Sequence, residues 1–158
     1  MDEMDEMDEM DEIKKALQEN HLALHTLIVF HRAERTLQSM EGKVIKEYGL
    51  TPMQFGVLDV LYTKGPLHVG EIIEKMLATS GNMTVVIRNM ERDGYVCRME
   101  DAADKRSFLI SLTKKGRKKI EKVLPAHAVY IGKIFEFLPE EDQKELIRIL
   151  RKFRERQE

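Results

Sequence analysis

The chain has 158 residues, of which 42% are hydrophobic and 34% charged, and its formal net charge is −2. That balance provides for one ordinary domain with a buried core and excludes a disordered or fibrous chain. No apolar run approaches the ~20 residues needed to cross a bilayer. The single cysteine, Cys97, excludes an intrachain disulfide.

The acidic N-terminus lacks the basic and apolar regions of a secretory signal, so the expected location is cytoplasmic. Residues 1–12 repeat the triplet Met-Asp-Glu four times and carry eight carboxylates; without them the chain has a balance of +6. A mildly basic body fits a polyanionic partner. The repeat is expected as a disordered, solvated tail. The other reading is an acidic decoy that competes with that polyanion for the basic surface.

Residues 13–48 read as one long helix. Ala16, Leu17, Leu24, Leu27, Ile28, Leu37, Met40 and Val44 recur at helical spacing, and Gly49 stops the pattern. Such a helix spans about 50 Å, too far for one small domain to cover, so a second copy is expected along it. Thr51-Pro52 caps the next helix, whose stripe is Phe55, Leu58, Leu61 and Tyr62, and Lys64-Gly65-Pro66 ends it. A short helix follows at 69–77. Ala78 to Gly81 form a turn and cap, and a helix runs from 81 to 93 with Met83, Val86, Ile87 and Met90 inward. Gly94 closes it.

The period then alternates. Tyr95–Met99 and Ser107–Leu112 read as strands around a polar loop, Glu100–Arg106. Thr113 caps a helix over 114–137, and Pro139-Glu140-Glu141 opens a last one over 140–156. Three short helices and a hairpin make a winged helix-turn-helix. The predicted fold is therefore mainly α with a small β-hairpin, flanked by N- and C-terminal dimerisation helices. Its parts are the tail (1–12), an N-terminal dimerisation helix (13–48), a DNA-binding winged helix (49–113) and C-terminal dimerisation helices (114–158).

Three stretches resemble the MarR family of regulators. Asp104-Lys105-Arg106 through Leu112-Thr113-Lys114-Lys115-Gly116 is similar to its D-x-R…L-T-x-x-G wing signature. Residues Ser80–Gly94 resemble its recognition helix, and Leu50–Leu58 its L-T-x-x-Q/E-F-x-V-L helix. The resemblance covers roughly residues 13–157. It implies a triangular homodimer in which the first, fifth and sixth helices of the family fold interlock, bound to a pseudo-palindromic operator in double-stranded DNA. It also implies repression relieved by a ligand, metal or oxidant. Val60–Pro66 and Leu124–His127 resemble the quinone- and catechol-responsive members.

The expected DNA contacts start at Ser80, where a helix N-terminus suits a phosphate. Asn82, Thr84, Val85 and Arg88 lie off the buried stripe and suit base edges or phosphate. Asn82 as a capping residue, and Arg88 and Arg92 as a solvated face near Glu91, are the alternatives. Arg106 at the wing tip suits the narrow, negative minor groove, and the resemblance makes Asp104 its orienting partner. Lys105 and Arg98 are expected at phosphates.

For a switch, the resemblance places a small aromatic effector between the first helix and the DNA-reading lobe. His25, Phe30, Met53, Phe55 and Tyr62 are the candidate lining, and plain core is their other reading. His21 and His25 have i, i+4 metal spacing, but no further ligand lies close in sequence, so no metal or other cofactor is expected. Cys97 is expected to be partly buried, which disfavours a thiol sensor. A thiol- or metal-responsive regulator of the same fold is the nearest alternative. An enzyme is not expected, because no phosphate loop, nucleophile context or metal set is present. A non-DNA-binding winged-helix adaptor would not need the basic wing.

Overall fold

The computed structural model describes residues 3–76, 80–102, 104 and 107–156. The elements are α1 (Glu3–Glu19), α2 (His21–Glu47), α3 (Pro52–Lys64), α4 (Val69–Met76), α5 (Ser80–Arg92), β1 (Val96–Glu100), β2 (Phe108–Leu112), α6 (Lys114–Phe135) and α7 (Glu140–Arg154). This is the winged helix-turn-helix order with helices on either side. The chain divides into two compact units, Met1–Met40 and Glu41–Glu158, so the division falls inside α2.

The first unit departs from expectation. Residues 3–12, expected as a disordered tail, are helical. Met and Glu are strong helix formers, and carboxylates at a helix N-terminus complement its dipole. The expected single helix over 13–48 is divided at Asn20, whose side-chain amide donates to Ala16 O (2.9 Å) beside its own backbone N–H (3.2 Å). Such side-chain competition for a helix carbonyl perturbs the ladder locally. Ile13, Leu17, Leu24, Leu27, Ile28 and Phe30 are exposed in this unit.

The second unit holds the core. Ile45, Leu50, Phe55, Val57, Leu58, Leu61, Leu67, Ile72, Met83, Ile87, Met90, Val96, Ile110, Ile120 and Val123 form one buried cluster. The end of α2 enters it through Ile45, and Gly49, at φ 69°, turns the chain toward α3. A capping box opens α3: Gln54 N donates to Thr51 Oγ1 (3.2 Å), and Thr51 N donates to Gln54 Oε1 (3.0 Å). Residues 77–79, expected to finish α4 and begin the turn to α5, lie outside the described residues.

β1 and β2 pair antiparallel, with Val96 opposite Leu112 and Glu100 opposite Phe108. A third short segment joins them, because Leu67 exchanges two backbone hydrogen bonds with Ile110 (3.1 and 2.8 Å). The sequence reading did not include that segment.

The joint after β2 is closely packed. Thr113 Oγ1 accepts from Gly116 N (3.0 Å), capping α6, and donates to Gly94 O (2.6 Å). Thr113 N donates to Tyr95 O (3.1 Å). A Cβ on Gly116 would stand 2.0 Å from Tyr95 O, so only glycine lets the first turn of α6 lie there.

α6 runs through Pro125, and Gln143 Nε2 closes its turn into α7 by donating to Leu138 O (2.9 Å). On one side of α7 Arg148 pairs with Glu145 (2.6 Å), and its hydrogen bonds hold the Glu145 carboxyl below the usual carboxylate range. The apolar residues of α7, Leu146, Ile147, Ile149, Leu150 and Phe153, are exposed.

Gly116→Ala is expected to lower folding stability by about 1–3 kcal/mol, as overpacking against backbone does. Gly70→Ala in α4, where a Cβ meets nothing within 4 Å, should be neutral or stabilising by up to about 1 kcal/mol. Denaturant titration of the two variants checks the contrast.

Candidate nucleic-acid interface

The amphipathic pattern of α5 decides what it presents. Met83, Ile87 and Met90 are fully buried and Val86 is half-buried, which turns the intervening positions outward. Asn82, Thr84, Val85 and Arg88 are all exposed. One helix thus carries an amide, a hydroxyl, a methyl pair and a guanidinium on its open side. These groups match hydrogen-bonding base edges, thymine methyls and phosphates. The backbone of Ser80 opens the helix.

Charge pairing sorts the cations around α5. Arg98 Nε donates to Glu91 Oε1 (2.9 Å) and its Nη2 to Oε2 (3.3 Å). Arg98 shares the face of β1 that begins with Val96, and this face meets α5. The Glu91 carboxylate, placed near Arg88 and Arg92 in the sequence reading, therefore goes to Arg98. Arg92 pairs with Asp93 (3.2 Å). Arg88 makes no ion pair among the described residues.

In the wing, Asp104 is exposed, and its carbonyl accepts from Ser107 N (2.9 Å) and Ser107 Oγ (3.0 Å). Lys105 and Arg106 lie outside the described residues. Cys97 is exposed, against the expected partial burial. It pairs with Ser111 on the side of the hairpin opposite Val96, and a two-stranded sheet has only one covered face.

The candidate effector residues are divided. His25 and Phe30 are exposed in the unit Met1–Met40, where Phe30 stands edge-on to His31 (6.1 Å). In the second unit, Met53 is half-buried beside the core. Phe55 is buried and stacked obliquely on His127 (4.5 Å), which also meets Glu41 (3.3 Å). Tyr62 is exposed beneath the Arg117 guanidinium (5.3 Å). His21 and His25 acquire no third metal-ligating partner among the described residues. No helix is long and apolar enough to cross a membrane among the described residues.

Two features escaped the sequence reading. His68 contacts both Phe108 O (3.2 Å) and Asp101 Oδ2 (3.1 Å); its position just before a helix was legible, but its partners are 33 and 40 residues away. The basic run at the start of α6 is spent partly on tyrosines: Lys115 lies over Tyr95 (5.0 Å) and Lys122 over Tyr48 (6.0 Å).

The sequence profile described as MarR family matches residues 48–107, from the end of α2 to the wing. The chain is 38% identical over 135 residues to YkoM of Bacillus subtilis, an uncharacterised HTH-type transcriptional regulator, covering 85% of this chain and 88% of that one. The chain belongs to the MarR family. The chain is also 32% identical over 120 residues to the HTH-type transcriptional regulator MhqR of Bacillus subtilis, spanning 76% of this chain and 83% of that one. Among solved structures, a MarR-like transcription regulator from Bacillus cereus superposes with a TM-score of 0.72 at 30% identity, covering 87% of this chain and 97% of that chain. This MarR-family protein is thus a DNA-binding transcriptional regulator with the winged helix-turn-helix fold.

Glu91→Gln removes the carboxylate that neutralises Arg98. It should tighten DNA binding by about two- to tenfold at low salt and steepen the log–log salt slope by up to about 0.9. Anisotropy titrations at several salt concentrations check this. Unchanged affinity and slope would mean that Arg98 faces no phosphate.

Proposed function

We propose that the protein is a homodimeric repressor that reads a pseudo-palindromic operator with two copies of α5 and is released by a small phenolic or quinone-like effector. The observation that carries the reading is the α5 surface: Asn82, Thr84, Val85 and Arg88 are outward while Met83, Ile87 and Met90 are fixed in the core. Ser80 sits at the helix N-terminus for a phosphate. In the wing, Arg106, oriented by Asp104, enters the minor groove and Lys105 meets phosphate. Arg98 joins them only when Glu91 gives it up.

Apolar surface supports the dimer. α1 and α2 leave Leu17, Leu24, Leu27 and Ile28 exposed, and α7 leaves Leu146, Ile149 and Leu150 exposed. Contiguous apolar faces of this kind mark association surfaces, and flanking helices are where this fold has material for one. For the effector, Met53, Phe55 and Tyr62 of the second unit offer the thioether and aromatic side chains suited to a flat ring. The likeness of Val60–Pro66 and Leu124–His127 to quinone-responsive regulators supports that chemistry. The protein is read as a cytoplasmic binding protein rather than an enzyme.

A mobility shift on the region upstream of the chain's own gene tests the function. Wild-type protein should shift that duplex as a dimer, and a benzoquinone or catechol should reverse the shift. Arg88→Ala should weaken binding by about 1–3 kcal/mol. Leu150→Glu should shift the light-scattering mass toward one chain and abolish the retarded band. A sharp shift by a monomer would refute the dimeric reading.

A further inference from the structure

We infer that Lys115, Lys118, Lys119 and Lys122, along one face of α6, form a second phosphate-binding strip that holds the DNA backbone beyond the segment read by α5. The inference rests on the reading of α5 as the DNA-facing helix, and its test separates the two.

Helical spacing gathers the four lysines. Positions 115, 118, 119 and 122 stand three and four apart, so they share a face of α6 over two turns, about 10 Å. Ile120 and Val123 are buried against the core, and the strip runs along the flank of that buried face. Lys115, Lys118 and Lys122 are exposed, and Lys119 is half-buried.

The surroundings orient the ammonium groups without neutralising them. The Tyr95 ring lies beneath Lys115 (5.0 Å) and Lys119 (6.0 Å), and the Tyr48 ring beneath Lys122 (6.0 Å). Lys115 Nζ also donates to Asp93 O (2.6 Å), and Lys119 Nζ donates to Tyr48 O. An aromatic face and a backbone carbonyl attract a cation but carry no net charge, so each lysine keeps its own. No carboxylate pairs with any of the four among the described residues. Glu121, the one acid inside the run from Lys114 to Lys122, pairs instead with Arg117 (3.9 Å). Like charges three and four apart on a helix repel one another, and a polyanion laid along the strip would relieve that repulsion.

The strip continues the α5 surface, and that continuity selects its occupant. Arg92 follows Arg88 by one turn on the exposed side of α5, and the next residue, Asp93, supplies the carbonyl that takes Lys115. Cations therefore succeed one another from α5 onto α6. A duplex seated on α5 offers such a track its own phosphates, with one on each strand every ~3.4 Å of axis. An ammonium is a point charge that meets phosphate oxygens without regard to base sequence. The strip thus adds affinity and leaves specificity to α5.

The test uses the full chain and two fluorescent duplexes. One is the shortest that the wild-type protein selects from a random pool; the other is the same sequence lengthened by about one helical turn at each end. Wild type should bind the longer duplex more tightly, with a steeper log–log salt slope. Lys118→Gln and Lys122→Gln should each weaken binding to the longer duplex by about two- to fivefold at low salt and lower its slope by up to about 0.9. Both variants should leave the shorter duplex unchanged. Lys118→Arg, which keeps the charge, should retain the wild-type slope. Lys133→Gln, which removes the same charge from the far end of α6, should alter neither duplex. Equal losses on both duplexes, no loss on the longer one, or a slope that falls in Lys118→Arg would each overturn the inference. Arg88→Ala on the shorter duplex judges the α5 reading by itself. If that variant leaves Kd unchanged, the α5 reading fails, and the strip still stands or falls on the longer duplex.

Discussion

The carbonyl of Tyr95 accepts the backbone N–H of Thr113 at 3.1 Å, and the first turn of α6 lies so close that a side chain at Gly116 would strike the same oxygen. Three elements meet there. α5 ends at Gly94, whose φ of 76° makes the turn. β1 leaves from Tyr95, and α6 arrives through the Thr113 cap, with Thr113 Oγ1 donating to Gly94 O. The recognition helix, the wing and the first of the C-terminal helices are thereby referred to one point. A shift of α6 at this joint is carried into α5 and the hairpin, because a packed backbone contact has no slack to absorb it. The joint thus ties α6, one of the flanking helices proposed for the dimer, to the two elements proposed to meet DNA.

Electrostatics at the interface is set by pairings that reserve some cations and leave others available. Glu91 holds Arg98, Asp93 holds Arg92, and tyrosine rings carry Lys115 and Lys122. Arg88 stands outside these pairs. On the outward side of α5, Arg88 is therefore left available to a phosphate or base edge. An exposed ion pair such as Arg98–Glu91 contributes little to stability, so exchanging Glu91 for a phosphate costs the fold little. That makes the pair suited to modulating affinity.

The parts of the fold legible in the sequence are those governed by local rules. Thr51 with Gln54 and Thr113 with Gly116 announce helix starts, Gly49 and Gly94 announce stops, and the spacing of Met83, Ile87 and Met90 fixes the outward face of α5. The rest depended on contacts distant in the chain. Asp101 and Phe108 around His68 could not be assigned by spacing. The Arg98–Glu91 pair joins a strand to a helix across the closing turn. Exposure of Cys97 follows from which face of a two-stranded sheet finds cover, and the flanking valine did not reveal it. The acidic repeat shows the converse error: its charge argued for a disordered tail, while Met and Glu propensity with the helix dipole gives helix. Arg106 and Lys105, the boldest expectations for the wing, lie outside the described residues.

The central claim is that the outward side of α5 and the wing address one duplex together, twice per dimer. Chemical footprinting of the bound operator tests it most directly, with dimethyl sulfate reporting the major groove and hydroxyl radical the minor-groove edge. Two major-groove windows are expected, with centres about one helical turn apart, each flanked on its outer side by minor-groove protection. Protection confined to the backbone, or a single window without its symmetric mate, would contradict it.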